Sequence, residues 1–259
     1  MDLRFAGIDR LYGAGAVARL AETHVAVVGI GGVGSWSAEA LARSGVGKIT
    51  LIDADDVCVS NTNRQSHALK GAYGRMKVDV VAERLRAINP NIVVETIEKF
   101  VSVMNIDVVL GSPFDAVIDA CDTVRMKVEM IVFCKRRKIP IVISGSAGGR
   151  ADPTLITARD LTRTEHDIML GLVRRRLRDE YGWTRNPKRY FGVQAVFSRE
   201  NANYPQADGS VCKTRSPHAD TGLKLDCSGG LGAAMHVTAT FGMVAAARTI
   251  ERLLGRKPR

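Results

Sequence analysis

No Cys-x-x-Cys pair occurs in the chain, although its 259 residues include five cysteines, Cys58, Cys121, Cys134, Cys212 and Cys227. Neither a structural zinc site nor a dithiol redox motif is therefore encoded. The opening MDLRFAGIDR lacks the apolar core of a secretory leader. Together these absences lead to the expectation of a cytoplasmic protein with reduced thiols. Internal repeats are missing, as is any linker long enough to divide the chain, so one domain over 1–259 is expected. A membrane span is lacking too. The uncharged stretch Ser228–Ala247 has the length, but it carries four glycines, His236 and two threonines, and much of its apolarity is alanine. That composition suits a buried helix or a dimer seam, and no stable membrane insertion is expected. Acidic residues are in deficit: 27 Asp and Glu face 37 Lys and Arg, a formal charge of +10. An excess of this sign favours a polyanionic partner, nucleic acid or an anionic membrane face, without bearing on fold.

What the chain does have is a regular alternation. Short β-branched runs at 24–30, 48–53, 92–97, 115–120 and 139–144 are separated by helical patterns at 33–44, 72–88, 102–110 and 123–138. This specifies an α/β fold, Rossmann-like and doubly wound, with a mainly parallel sheet and helices on both faces. Ligands of such sheets bind at the carboxyl ends of the strands. Beyond residue 144 the second half is elaborated. It has a glycine-rich 145–149, strands at 154–158 and 191–197, a basic helix at 167–181 and a final helix at 231–254. The polar stretch 201–226 has no periodicity and reads as a long flexible loop.

Gly29, Gly31, Gly32 and Gly34 follow a strand and open a helix, the context in which a phosphate approaches backbone N–H groups. Glycines alone do not say which nucleotide. An NAD enzyme would use Asp53 for a ribose, but the residues after it, DADDVCVSNTNRQ, form a polar set for which a nicotinamide site has no use. A triphosphate does: arginine forks onto phosphate oxygens, and carboxylates hold ribose hydroxyls or Mg²⁺. Lys77 lies on a helix returning to the same strand ends. Asp119 and Asp122 close the fourth strand, where a carboxylate is suitably placed for Mg²⁺.

GIGGVG, LARSGVGKITLIDADDV, SNTNRQ, GRMK, INPN and VIDACD occur in this order from Val27 to Asp122. The chain resembles the ubiquitin-activating-enzyme superfamily, which includes the bacterial adenylyltransferases of sulfur-carrier proteins. The resemblance implies ATP with Mg²⁺ and activation of a carboxylate. It implies Gly32 and Asp53 on the nucleotide, with Asp53 on the ribose, and the neighbouring carboxylate Asp55 joins the expected nucleotide-binding set. Asn61, Arg64 and Lys77 would meet the triphosphate, and Asp122 the metal. RLYG at 10–13, SGSAGG at 144–149, DGSVC at 208–212 and LDCSGGLGAAMHVTATFG at 225–242 are similar to one branch, the tRNA threonylcarbamoyladenosine dehydratases. That branch implies ATP-dependent dehydration, by cyclisation, of threonylcarbamoyladenosine beside the tRNA anticodon; an adenylate or a phosphate could be the activated species. Adenylation of a ubiquitin-like or sulfur-carrier C-terminus is the alternative, and a catalytically inert scaffold handling sulfur-transfer partners a third reading.

Two features depart from the superfamily. Its partner-donated arginine falls in an Arg-aromatic-x-Arg pattern, whereas here Arg4-Phe5-Ala6-Gly7 places glycine second. In the implied homodimer Arg10 takes that role, with Arg4 the other candidate. The zinc cysteines of many relatives are also absent, and Cys212 and Cys227 are left out of the catalytic set because ring closure needs no thiol. One further stretch stands out. LVRRRLRDEYGWTRNPKRY, residues 172–190, concentrates Arg174, Arg175, Arg178, Arg185, Lys188 and Arg189, with Trp183 and Tyr190 interleaved as platforms for bases. With a polyanionic substrate implied, this is the expected tRNA-contact surface.

Overall fold

The β-branched runs become strands buried among helices, as runs without polar alternation must. The computed structural model describes residues 3–206, 208–213 and 231–255. Two short helices come first, α1 (Ala6–Tyr12) and α2 (Ala16–Ala21). Next come β1 (His24–Val28), α3 (Gly34–Arg43), β2 (Lys48–Ile52), α4 (Lys77–Ile88), β3 (Val93–Ile97) and α5 (Ile106–Val109). They are followed by β4 (Ala116–Asp119), α6 (Val124–Arg136), β5 (Ile141–Ser144), β6 (Ile156–Asp160), α7 (Ile168–Tyr181) and β7 (Gln194–Ser198). A small pair, β8 (Tyr204–Pro205) and β9 (Val211–Cys212), precedes the closing α8 (Met235–Leu253).

Seven strands form one sheet in the order β3-β2-β1-β4-β5-β7-β6, in which only β6 runs antiparallel to its neighbour. The order reverses between β1 and β4, and a crevice must open outside the carboxyl ends of those two strands. Alternate residues feed the two faces of the sheet. Val25, Val27, Ile49 and Leu51 pack with α3, α4 and α8, while Ala26, Val28, Ile52 and Val117 pack with α5, α6 and α7. The uncharged 228–247 stretch is explained where described: α8 lies on α3, so close at Gly242 that a Cβ there would meet Val33 O at 2.6 Å. Among the described residues no helix is long and apolar enough to cross a membrane.

Local differences from the sequence reading have local causes. Residues 69–75 form turns, so the helix anticipated over 72–88 starts only at Lys77. The helix anticipated over 102–110 shrinks to Ile106–Val109, because Asn105 Oδ1 accepts the Ser102 N–H and folds the preceding residues into a turn. The 201–226 stretch, read as a loop, contains the antiparallel β8–β9 pair; residues 214–226, and Cys227 beyond them, lie outside the described residues. α1 and α2 had no counterpart in the sequence reading.

Candidate functional site

A cavity of about 520 Å³ occupies the predicted crevice. Gly29, at φ +86°, turns the chain out of β1, and its own carbonyl lies under α3, so that a Cβ on Gly34 would sit 1.8 Å from it. Gly29, Gly31 and Gly32 line the cavity; Gly34 does not, and only shapes the loop.

Asp53, at the end of β2, fastens the loop. Its Oδ2 accepts the Ile30 N–H at 2.6 Å and its Oδ1 the Asp55 N–H at 2.9 Å. Burial pushes the Asp53 pKa up, against the opposing pull of the Lys77 charge. Lys77 is the first residue of α4, its side chain only 8% exposed, with Nζ 2.7 Å from Asp55 Oδ2. An apparently solitary helical lysine is thus a cation held at the cavity wall. Asn61 is buried, its Oδ1 accepting the Cys58 N–H at 3.0 Å. Arg64 Nη1 donates to Ser60 O and Asn63 Oδ1, both at 2.9 Å, while its carbonyl accepts Trp36 Nε1–H at 3.2 Å from α3 and Thr238 Oγ1–H at 3.3 Å from α8. Asp122 stands exposed at the rim, with Thr123 Oγ1 at 3.4 Å. All six side chains line the one cavity.

Sequence reasoning missed what lies beneath. Lys127 and Asp119 are completely buried, Nζ lying 2.8 Å from Oδ2 without the angles of a hydrogen bond. Asp119 Oδ1 accepts the Cys121 N–H at 3.0 Å, so the pair shapes the turn that carries Asp122. His67 follows the Asn61–Gln65 segment into the interior, where both ring nitrogens lack hydrogen-bond partners among the described residues and burial holds its pKa down at about 4, with the Lys77 and Arg84 charges adding to the effect. Only the place of Lys127 in the first turn of α6, just after the strand that ends at Asp119, signals the first of these in the sequence. Burial also pushes the Cys121 thiol well above its ordinary range, with Asp119 adding to the shift, which removes it as a nucleophile near neutrality.

Two predicted groups lie elsewhere. Arg10, exposed on α1, and Arg4, whose guanidinium is 5.7 Å from the Phe5 ring, do not line the cavity. The basic segment divides. Arg174 turns inward, donating to the Leu161 carbonyl at 3.3 Å and to the Thr164 hydroxyl, and Arg178 lies 5.6 Å over the Phe191 ring. Trp183 meets the same ring edge-on at 4.8 Å, a core contact in place of the open face foreseen for it. Arg175 and Arg185 are exposed but shared with Asp179. Lys188 and Arg189 are exposed, and so is Tyr190, at 65%, with the Arg163 guanidinium 5.0 Å over its ring.

Residues 6–259 match the ThiF family. A tRNA threonylcarbamoyladenosine dehydratase of Escherichia coli is 48% identical over 256 residues, 99% of this chain and 95% of that protein. One from Haemophilus influenzae is 46% identical over the same shares of the two chains. The solved structure of the E. coli enzyme, TcdA, in complex with ATP matches with a TM-score of 0.85 at 45% identity, covering 97% of this chain and 94% of that one.

Proposed function

Since the chain belongs to the ThiF family, in its branch of tRNA threonylcarbamoyladenosine dehydratases, we propose that it removes water from N6-threonylcarbamoyladenosine in tRNA at the expense of ATP. The observation that carries this reading is the gathering of the glycine loop, Arg64, Lys77 and Asp122 around one cavity at the switch point of the sheet. A volume of about 520 Å³ is of the size that ligand sites commonly have.

Arg64 offers a guanidinium fork to phosphate oxygens, and Lys77 a buried-stem ammonium beside it. Asp53 keeps lone pairs for ribose hydroxyls beyond those its two backbone bonds use. Asp122 suits Mg²⁺, which commonly takes one or two carboxylates together with substrate phosphates. Among the described residues no cluster of three or more His, Cys, Asp or Glu forms a protein cage, in keeping with an ion shared with the nucleotide. Bound there, the ion would offset charge developing on the phosphate oxygens.

Hydroxide is a poor leaving group, so the threonyl carboxylate is first converted to an acyl-adenylate, with pyrophosphate leaving. A nitrogen of the same side chain then attacks the acyl carbon. The C–N bond forms, the C–O bond to AMP breaks, and the nitrogen gives up its proton; the lost water oxygen departs on AMP. Closure within one side chain needs orientation and exclusion of water, and no enzyme thiol. The test is direct: incubate protein, ATP and tRNA carrying threonylcarbamoyladenosine, digest it, and weigh the nucleosides. Loss of one water supports the reading; an unchanged mass overturns it.

The chain works as one domain in a cytoplasmic homodimer, in which Arg10 of each protomer completes its neighbour's site. The position of Arg10 outside its own cavity supports this. Mixing an inactive Arg10→Ala protein with an inactive Asp122→Asn protein should restore part of the activity; mixed dimers that stay dead while both parents remain folded rule Arg10 out. Lys188, Arg189, Arg175 and Arg185 form the tRNA-facing surface. A sulfur-transfer protein is the partner that the third, scaffold reading would require.

A further inference from the structure

A second cavity, of about 270 Å³, opens at the carboxyl ends of β5 and β7. It is next to the first. β4 and β5 pair in parallel through Asp119 and Ile143, and adjacent strands lie about 4.8 Å apart. The turn after β4 carries Asp122 into the first cavity, and the turn after β5 carries Ser146 into the second.

Its walls are braced from within. Arg150, itself buried, donates through Nη2 to His166 O at 2.6 Å and through Nη1 to Glu200 O, tying together the two segments that bring His166 and Asn201 to the cavity. Glu200 Oε2 accepts the Ala151 and Asp152 N–H groups, each at 2.9 Å. His166 Nδ1 and Asn201 Oδ1 are 2.8 Å apart. That contact joins one ring nitrogen to the carboxamide. The polar side-chain atoms of the pair that this contact does not use are His166 Nε2 and Asn201 Nδ2. Met169, Tyr204 and Leu231 supply apolar wall. A cavity of this size, with apolar sides and an imidazole beside a carboxamide, fits a base or a urea-like group rather than a whole nucleotide.

α7 connects this cavity to the basic surface. Its cap Asp167 and first residues Ile168 and Met169 line the cavity. The helix runs on for 14 residues, about 21 Å, towards the segment bearing Arg185, Lys188 and Arg189. A tRNA held on that surface has a nucleotide pocket within reach, and the phosphate cavity beside it.

The geometry points to this second cavity as the seat of the modified base, with His166 and Asn201 binding the carbamoyl N–H and C=O groups so that the threonyl carboxylate extends into the first cavity. This rests on the function proposed above. Its test compares the wild type with His166→Gly combined with Asn201→Ala. Both side chains are exposed, and glycine retains the φ of +52° found at His166. The ligands are one tRNA with threonylcarbamoyladenosine and the same tRNA without it. The double variant should raise KM for the modified tRNA about tenfold, the scale of one or two lost hydrogen bonds. It should also erase any preference for modified over unmodified tRNA in binding without ATP, while the KM for ATP stays put. An unchanged KM for the modified tRNA, or equal weakening for both tRNAs, overturns the subsite. A wild type that removes no water from the modified tRNA overturns the proposed function instead, and this inference with it.

Discussion

Around the first cavity a glycine turn, the Ile30 and Asp55 amides on Asp53 and the turn that presents Asp122 make a backbone cradle that carries Arg64 and Lys77, and its contacts arise close to the strand ends. Around the second they are made by side chains from separate segments, near residues 146–150, 166–169, 201–204, 213 and 231. A backbone cradle accepts a group that many enzymes share, the nucleotide phosphates. A cavity assembled from side chains is where one substrate is told from another, since hydrogen-bonding groups left unpaired by the wrong ligand are costly. One sheet edge thus carries a general device and a selective one side by side.

The sharpest way to separate the two is to disable the first chemically. Asp122→Asn should lower turnover by about 10²–10³, as loss of one electrostatic partner of a developing charge does. Its tRNA affinity and thermal unfolding should match the wild type. Near-normal turnover in that folded variant would move the metal away from Asp122.

The next effect is a pH dependence belonging to the first region. The folded protein holds the His67 pKa at about 4, against an ordinary value of 6.5. The unfolded chain therefore takes up this proton more readily than the folded one. The stability linked to His67 is complete above the ordinary value and is lost as pH falls from there towards the folded pKa, up to about 3 kcal/mol. Unfolding of His67→Leu measured at neutral and at mildly acidic pH should show a smaller fall than the wild type. Equal falls in both proteins would deny His67 this part.

Smaller effects should divide the basic segment. Arg174→Ala removes internal bonds to Leu161 and Thr164, so it should cost about 1–3 kcal/mol of stability and leave the salt dependence of tRNA binding alone. Replacing Lys188 or Arg189 with alanine should do the reverse. Each should flatten the slope of log affinity against log salt by about 0.7–0.9 while stability and ATP binding hold. A slope that responds to Arg174 and ignores Lys188 and Arg189 would place the tRNA on another face.

Much of the first region was legible because its determinants are local. Strand, glycine turn and helix follow one another within a few residues, and Asp53, Arg64 and Asp122 each sit just past a strand or in the loop after it. The reading was least accurate where a side chain had to choose between water and the interior. Arg174, Arg175 and Arg178 look alike in the sequence, yet one bonds to the Leu161–Thr164 turn, one stays in solvent beside Asp179, and one covers the Phe191 ring. Of the two aromatic residues expected as platforms for bases, Trp183 packs edge-on against Phe191, while Tyr190 is exposed with the Arg163 guanidinium over its ring.

The amino-acid sequence by itself determined the alternating α/β order, the glycine loop at the first strand and the acidic residues at the strand ends. Turn chemistry and apolar periodicity act over neighbouring residues and need no distant partner. Tertiary structure alone decided that Lys127 lies buried against Asp119 and that His67 is buried and its pKa held down. It alone let Arg150 draw the segments around His166 and Asn201 together into a second cavity beside the first. Those outcomes depend on which strands become neighbours and which groups lose water together, and burial sets partners and charge states among residues far apart along the chain.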